Sequence, residues 1–237
     1  MVVKPLGRTL ALFAIAGLNV ASVWGAGAEK ASLDLRRQPA VQGDAHVGAT
    51  KATICGGCHG PQGNALVADF PSLAGQSATY LYLQLRAYKD GTRPNEVMRA
   101  EVGQLSDQDM KDLSAYYASL RAGRSTVAVE GNTEAGQLLF TRGNSPAGIP
   151  PCQGCHGVAA KGPAAVATLV SHPATPWHTY PALAGQQPQY IVTQLKAFKS
   201  GARGGTTNTR IMRGIAQNLD DSAMQEVAAY LSQLAKD

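Results

Sequence analysis

Residues 55–60 read Cys-Gly-Gly-Cys-His-Gly and residues 152–157 read Cys-Gln-Gly-Cys-His-Gly. All four cysteines of the 237-residue chain lie in these two motifs. Outward from each motif, the same signals recur in the same order. PSLAGQ at 71–76 answers PALAGQ at 181–186, and YLYLQLRAYKDGTR at 80–93 answers YIVTQLKAFKSGAR at 190–203. A Val-Met pair at 97–98 answers Ile-Met at 211–212, and LSDQDMKDLSAYYASL at 105–120 answers LDDSAMQEVAAYLSQL at 219–234. Ordered self-similarity of this kind marks a duplicated structural unit. The chain therefore divides into a first domain at 44–120, a Gly- and Ser-containing linker at 121–131, and a second domain at 132–237.

The fold class follows from periodicity. Short helices are predicted before each motif, at 45–53 and 133–140, the second opened by the capping residues Asn132 and Thr133. After each LAGQ, Leu81, Leu85 and Tyr88 match Ile191, Leu195 and Phe198 at the i, i+4, i+7 spacing of one helical face. The last segment repeats the stripe with Met110, Leu113, Tyr117 and Leu120 against Met224, Val227, Leu231 and Leu234. Alternating strand patterns are missing, so the chain is all-α. Two small domains with few short helices bury little apolar surface and need a staple. Something large must fill the middle of each.

In Cys-x-x-Cys-His, two thiols can add to the two vinyl groups of a haem, and the adjacent histidine is placed to bind its iron. The rival readings explain less. A structural zinc site would not hold its cysteine pairs in separate repeats with histidine directly after the second cysteine. A redox dithiol wants a βαβ setting, and two disulfides leave His59 and His156 without a purpose. Two covalent c-type haems are expected, at Cys55, Cys58 and His59 and at Cys152, Cys155 and His156.

A second axial ligand should recur at matching places. Met98 matches Met212 and Met110 matches Met224. The second pair falls on the apolar stripe of the last helix, where methionine usually fills core. Met98 and Met212 read as irregular segments crossing the far face of each haem, and they are the favoured ligands. A thioether favours ferrous iron, and two filled axial positions leave no place for substrate, so electron transfer outranks chemistry at the metal. Pro71 and Pro181 offer either a carbonyl to the ligating histidine or a plain tight turn. Arg93 and Arg203 read either as propionate partners or as solvated loop residues. His46, His172 and His178 lack counterparts and are taken as non-ligands.

The leader carries Lys4 and Arg8, an apolar run at 10–20 and small residues at 26–28, the order of a secretory signal peptide cleaved near residue 28. The alternative is a retained N-terminal anchor. Export fixes an oxidising, periplasmic compartment. Losing Lys4 and Arg8 takes the net charge from +5 to +3, too small to argue for nucleic acid or a membrane surface. Residues 44–130 hold eight Lys/Arg against nine Asp/Glu, whereas 152–237 hold seven against four, which predicts the higher potential for the second haem.

Across nearly all of the mature chain, CGGCHG, FPSLAGQ, YLYLQLRAYKDGTR and LSDQDMKDLSAYY resemble the dihaem class I cytochromes of the cytochrome c4 type. The resemblance implies two class I cytochrome c folds with haems near their interface, His59 with Met98 and His156 with Met212 as ligands, and no catalysis. It also implies a soluble or peripherally membrane-associated periplasmic carrier feeding a terminal oxidase. The second repeat departs from the pattern, because about a dozen extra residues, containing His172, Trp177 and His178, follow His156. Two other functions compete: a cytochrome subunit of a dehydrogenase, such as a flavocytochrome that oxidises sulfide, and a dihaem enzyme with one open iron.

Overall fold

The structure is a computed structural model that describes residues 1–2, 32–127, 130–162 and 177–235. The signal-peptide reading and most of the insertion after His156 lie outside the described residues. The described residues from 32 to 235 form one compact unit. Ten α-helices are found among the described residues, with no named strand.

The first repeat supplies α1 (Ala45–Lys51), α2 (Gly56–His59), α3 (Ala78–Lys89), α4 (Glu96–Gly103) and α5 (Asp107–Ser119). The second supplies α6 (Thr133–Arg142), α7 (Gln153–His156), α8 (Pro188–Ser200), α9 (Thr207–Gln217) and α10 (Asp221–Gln233). Polar caps set many of the starts. Asp44 accepts from His46 and Val47 backbone N–H groups, Asn132 accepts from Glu134 and Ala135, and Ser106 forms a reciprocal capping box with Asp109.

Each repeat closes by crossing its first helix over its last, α1 on α5 and α6 on α10. Glycine permits the approach: a Cβ on Gly48 would lie 2.1 Å from the Asp112 carbonyl oxygen, and one on Gly136 would lie 2.0 Å from that of Glu226. The anticipated stripes turn inward. Leu81, Leu113 and Tyr117 share one core cluster, Met110 sits in another with Tyr82 and Leu83, and Phe140, Ile191, Leu195, Met224, Val227 and Leu231 join in the second repeat.

Two features depart from expectation. Met98 and Met212 lie on helices, α4 and α9, rather than in irregular segments. Asn95 caps α4 through the Met98 N–H, and Thr206 with Thr209 caps α9; these caps start helices whose glycines and β-branched residues lower intrinsic helix propensity. The second departure is a strap ahead of the first domain. Leu33 donates to the Gly205 carbonyl and accepts from Thr207 N–H, both in the second repeat, while the Leu35 side chain enters the first repeat's core beside Tyr82, Leu83 and Met110.

Candidate haem centres

The two motifs occupy equivalent turns. Each histidine ends a four-residue helix, α2 or α7, and is buried. His59 Nδ1 lies 2.9 Å from the Pro71 carbonyl oxygen, and His156 Nδ1 lies 2.9 Å from that of Pro181. A carbonyl can only accept, so Nδ1 carries the proton in both rings and Nε2 keeps its lone pair. Burial lowers the pKa of both imidazoles below the ordinary value, with the proline carbonyl working the other way. Both rings are therefore neutral bases ready to ligate a metal. The two readings of Pro71 and Pro181 thus coexist: each residue leads into a tight turn and also orients a histidine.

Among the cysteines, none is in a disulfide. Burial raises the thiol pKa of Cys55 and Cys155 and pushes that of Cys152 up to about 11. One continuous cavity of about 970 Å³ is lined by all four cysteines and both histidines. That lies near the top of the ~300–1,000 Å³ range for a single small-molecule pocket, and here two attachment motifs share it. Met98 and Met212 line it as well. Met110 and Met224 do not; they are 4% and 0% exposed and belong to the core clusters.

Between the motifs lies a polar cluster that matches across the repeats. Arg93 and Arg203 are each only 6% exposed, which excludes the solvated-loop reading. Arg93 donates to Gln84 at 2.8 Å, Tyr190 at 2.8 Å and Gln194 at 2.7 Å. Arg203 donates to Gln194 at 2.9 Å, Tyr80 at 2.8 Å and Gln84 at 2.7 Å. Each guanidinium also stacks over an aromatic ring of its own repeat, Arg93 on Tyr88 and Arg203 on Phe198, both 4.5 Å from the centroid. Burial disfavours the charge on Arg93, but the surrounding tyrosines outweigh it and raise its pKa.

Neither guanidinium meets a carboxylate among the described residues, and the buried Nε of Arg203 has no hydrogen-bond partner. Two buried cations without an anion are costly. Anionic groups entering the cavity would satisfy both the charge and the orphaned donor. The residues fit a pair of haems, whose propionates are such groups. Tyr80, Tyr190, Gln84 and Gln194 escaped the reading of the sequence; their exact repeat matching on otherwise apolar helical faces is the signal that could have found them.

His46 is exposed on α1, and His178 Nε2 meets the Gln38 carbonyl at 2.6 Å; neither lines the cavity. His172 lies outside the described residues.

Comparison with known proteins agrees with this geometry. The sequence model of the cytochrome c family matches residues 47–121 and again 133–235. Cytochrome c4 of Azotobacter vinelandii is 36% identical over 203 residues, covering 81% of this chain and 90% of the relative. The thiosulfate dehydrogenase electron acceptor of Thiomonas intermedia is 35% identical over 185 residues, covering 77% and 79%. The crystal structure of reduced cytochrome c4 from Pseudomonas stutzeri superposes with a TM-score of 0.68 at 32% identity, over 81% of this chain and 99% of that one. Two repeats around one cavity, two attachment motifs and this kinship together establish that the chain belongs to the cytochrome c family, as a dihaem electron carrier of the cytochrome c4 type.

Proposed function

We propose that the chain is exported by its leader, cleaved near residue 28, and carries electrons through the periplasm from a respiratory donor toward a terminal oxidase. Its domains are 44–120 and 132–237, joined by 121–131. The observation that carries this reading is the shared cavity, lined by both Cys-x-x-Cys-His motifs and by one repeat-matched methionine from each half. When bound, the haems supply one-electron chemistry. The chain's part is attachment through Cys55, Cys58, Cys152 and Cys155, and ligation through His59 with Met98 and His156 with Met212. Arg93 and Arg203 balance charge between the sites and hold the two halves together. The surplus of basic residues in the second repeat supports a higher potential for the haem at His156.

The test is ligand access. Slow binding of cyanide and carbon monoxide by both ferric and ferrous protein fits filled axial positions, and fast binding by one haem would point instead to an enzyme. A second reading draws support from the similarity to a thiosulfate dehydrogenase electron acceptor: the chain accepts electrons directly from a dehydrogenase. Isolation from native membranes separates the two, since a co-purifying dehydrogenase subunit favours the second.

A further inference from the structure

The two repeats exchange a reciprocal pair of glutamines immediately behind the histidine-bonding prolines. Gln186, in the second repeat, accepts from Ser72 N–H at 2.8 Å and donates to the Ser72 carbonyl at 3.0 Å. Gln76, in the first repeat, accepts from Ala182 N–H at 2.9 Å and donates to the Ala182 carbonyl at 2.8 Å. Both glutamines are only 4% exposed. Ser72 N–H belongs to the same peptide unit as the Pro71 carbonyl, which accepts from His59 Nδ1 at 2.9 Å. Ala182 N–H likewise shares a peptide with the Pro181 carbonyl that accepts from His156.

We infer that each glutamine is a positioning residue that tunes the haem of the opposite repeat, through a peptide relay running from glutamine Oε1 to the peptide and on to histidine Nδ1. An acceptor on the N–H side of a peptide polarises it and makes its carbonyl oxygen a stronger acceptor, since hydrogen bonds in a chain reinforce one another. A stronger acceptor at Nδ1 draws the ring proton and makes the imidazole a more basic ligand. More basic ligation stabilises ferric iron and lowers the reduction potential. Gln186 therefore acts on the haem at His59, and Gln76 on the haem at His156. The potential of each site depends on the closed contact with the other repeat. The inference rests on His59 and His156 being axial ligands.

The experiment uses the full-length dihaem protein with Gln186→Met, which keeps side-chain length and removes the acceptor. Potentiometric titration followed by NMR resolves the two haems. The expected result is a crossed response: the haem at His59 becomes easier to reduce by a few-fold in its one-electron equilibrium, on a scale where tenfold is ~59 mV, while the haem at His156 moves much less. In the ferrous protein the His59 Nδ1–H proton should shift upfield. Gln76→Met gives the mirror image. A shift confined to the haem of the substituted repeat, equal shifts in both, or a fall in potential from water entering the interface would overturn the inference. Should a methionine variant fail to retain its haems, Gln186→Asn keeps the amide but shortens its reach to the Ser72 peptide, and the haem at His59 should again become easier to reduce while the haem at His156 moves much less. Two low-spin, histidine-ligated haems without a crossed shift refute this relay alone; loss of histidine ligation in the wild-type spectrum refutes the functional reading.

Discussion

The crossing of first and last helices in each repeat makes a sharp test of the packing. In Gly136→Ala, the new Cβ falls 2.0 Å from the Glu226 carbonyl oxygen, 2.5 Å from its carbon and 3.0 Å from Tyr230 Cβ. Non-bonded heavy atoms rest near ~3.5 Å, so α6 and α10 must part by more than about 1 Å. The obstacle is helix backbone, which has no rotamer with which to yield. Overpacking of this kind costs about 1–3 kcal/mol, and replacing glycine in a helix returns up to about 1 kcal/mol. The net expectation is a loss of about 1–2 kcal/mol, hence a fall of roughly 2–8 °C in Tm at ~2–4 °C per kcal/mol for a chain of this size. Gly214, inside α9, is the control, because its added Cβ meets nothing within 4 Å. Gly214→Ala should raise Tm through propensity alone. Thermal unfolding of the haem-loaded protein by far-UV circular dichroism reads both. If the two substitutions shift Tm in the same direction, the account of the crossing is wrong.

Met98→Ala is expected to open one axial position, so that one haem binds cyanide or carbon monoxide rapidly while the other stays slow; Met110→Leu should leave ligand binding unchanged, and the reverse pattern would exchange the roles of the two methionines. Arg93→Met leaves the Tyr190 hydroxyl without its donor and removes a bond from Gln194, at a cost of about 1–3 kcal/mol. A denaturant midpoint equal to wild type would contradict the buried placement. Acid should loosen the α1–α5 contact. Hydrogen bonding to Lys51 holds Asp109 below the ordinary carboxylate pKa, and Asp112 is held down by the Asp44 N–H. With folded values lowered, the unfolded chain takes up more protons below about pH 4, so the stabilisation present at neutral pH drains away as pH falls through the folded values. Amide-exchange protection in α1 and α5 that persists unchanged to pH ~3 would refute the linkage.

Local chemistry made much of this molecule readable from its residues. Cys-x-x-Cys-His is a contiguous signal, the stripes of α3, α5, α8 and α10 obey helical spacing, and duplication let each half check the other. Helices α4 and α9 were harder to see because glycine and β-branched residues lower their helix propensity. What eluded the sequence depends on the other repeat. Arg93, Gln84 and Gln76 look like surface residues in their own repeat, yet Arg93 and Gln76 are buried and Gln84 half-buried where they hydrogen-bond to the second repeat. The strap at 33–35 has the same origin, since nothing near Leu33 in sequence announces Gly205 or Thr207.

The strap also bears on the order of biosynthesis. Leu33 is made early and its partners Gly205 and Thr207 nearly last, yet they meet beside the core that contains Leu35. The N-terminal half therefore completes its packing only after most of the chain has emerged. Until then the cavity lacks the part of its wall that Leu33 and Leu35 supply.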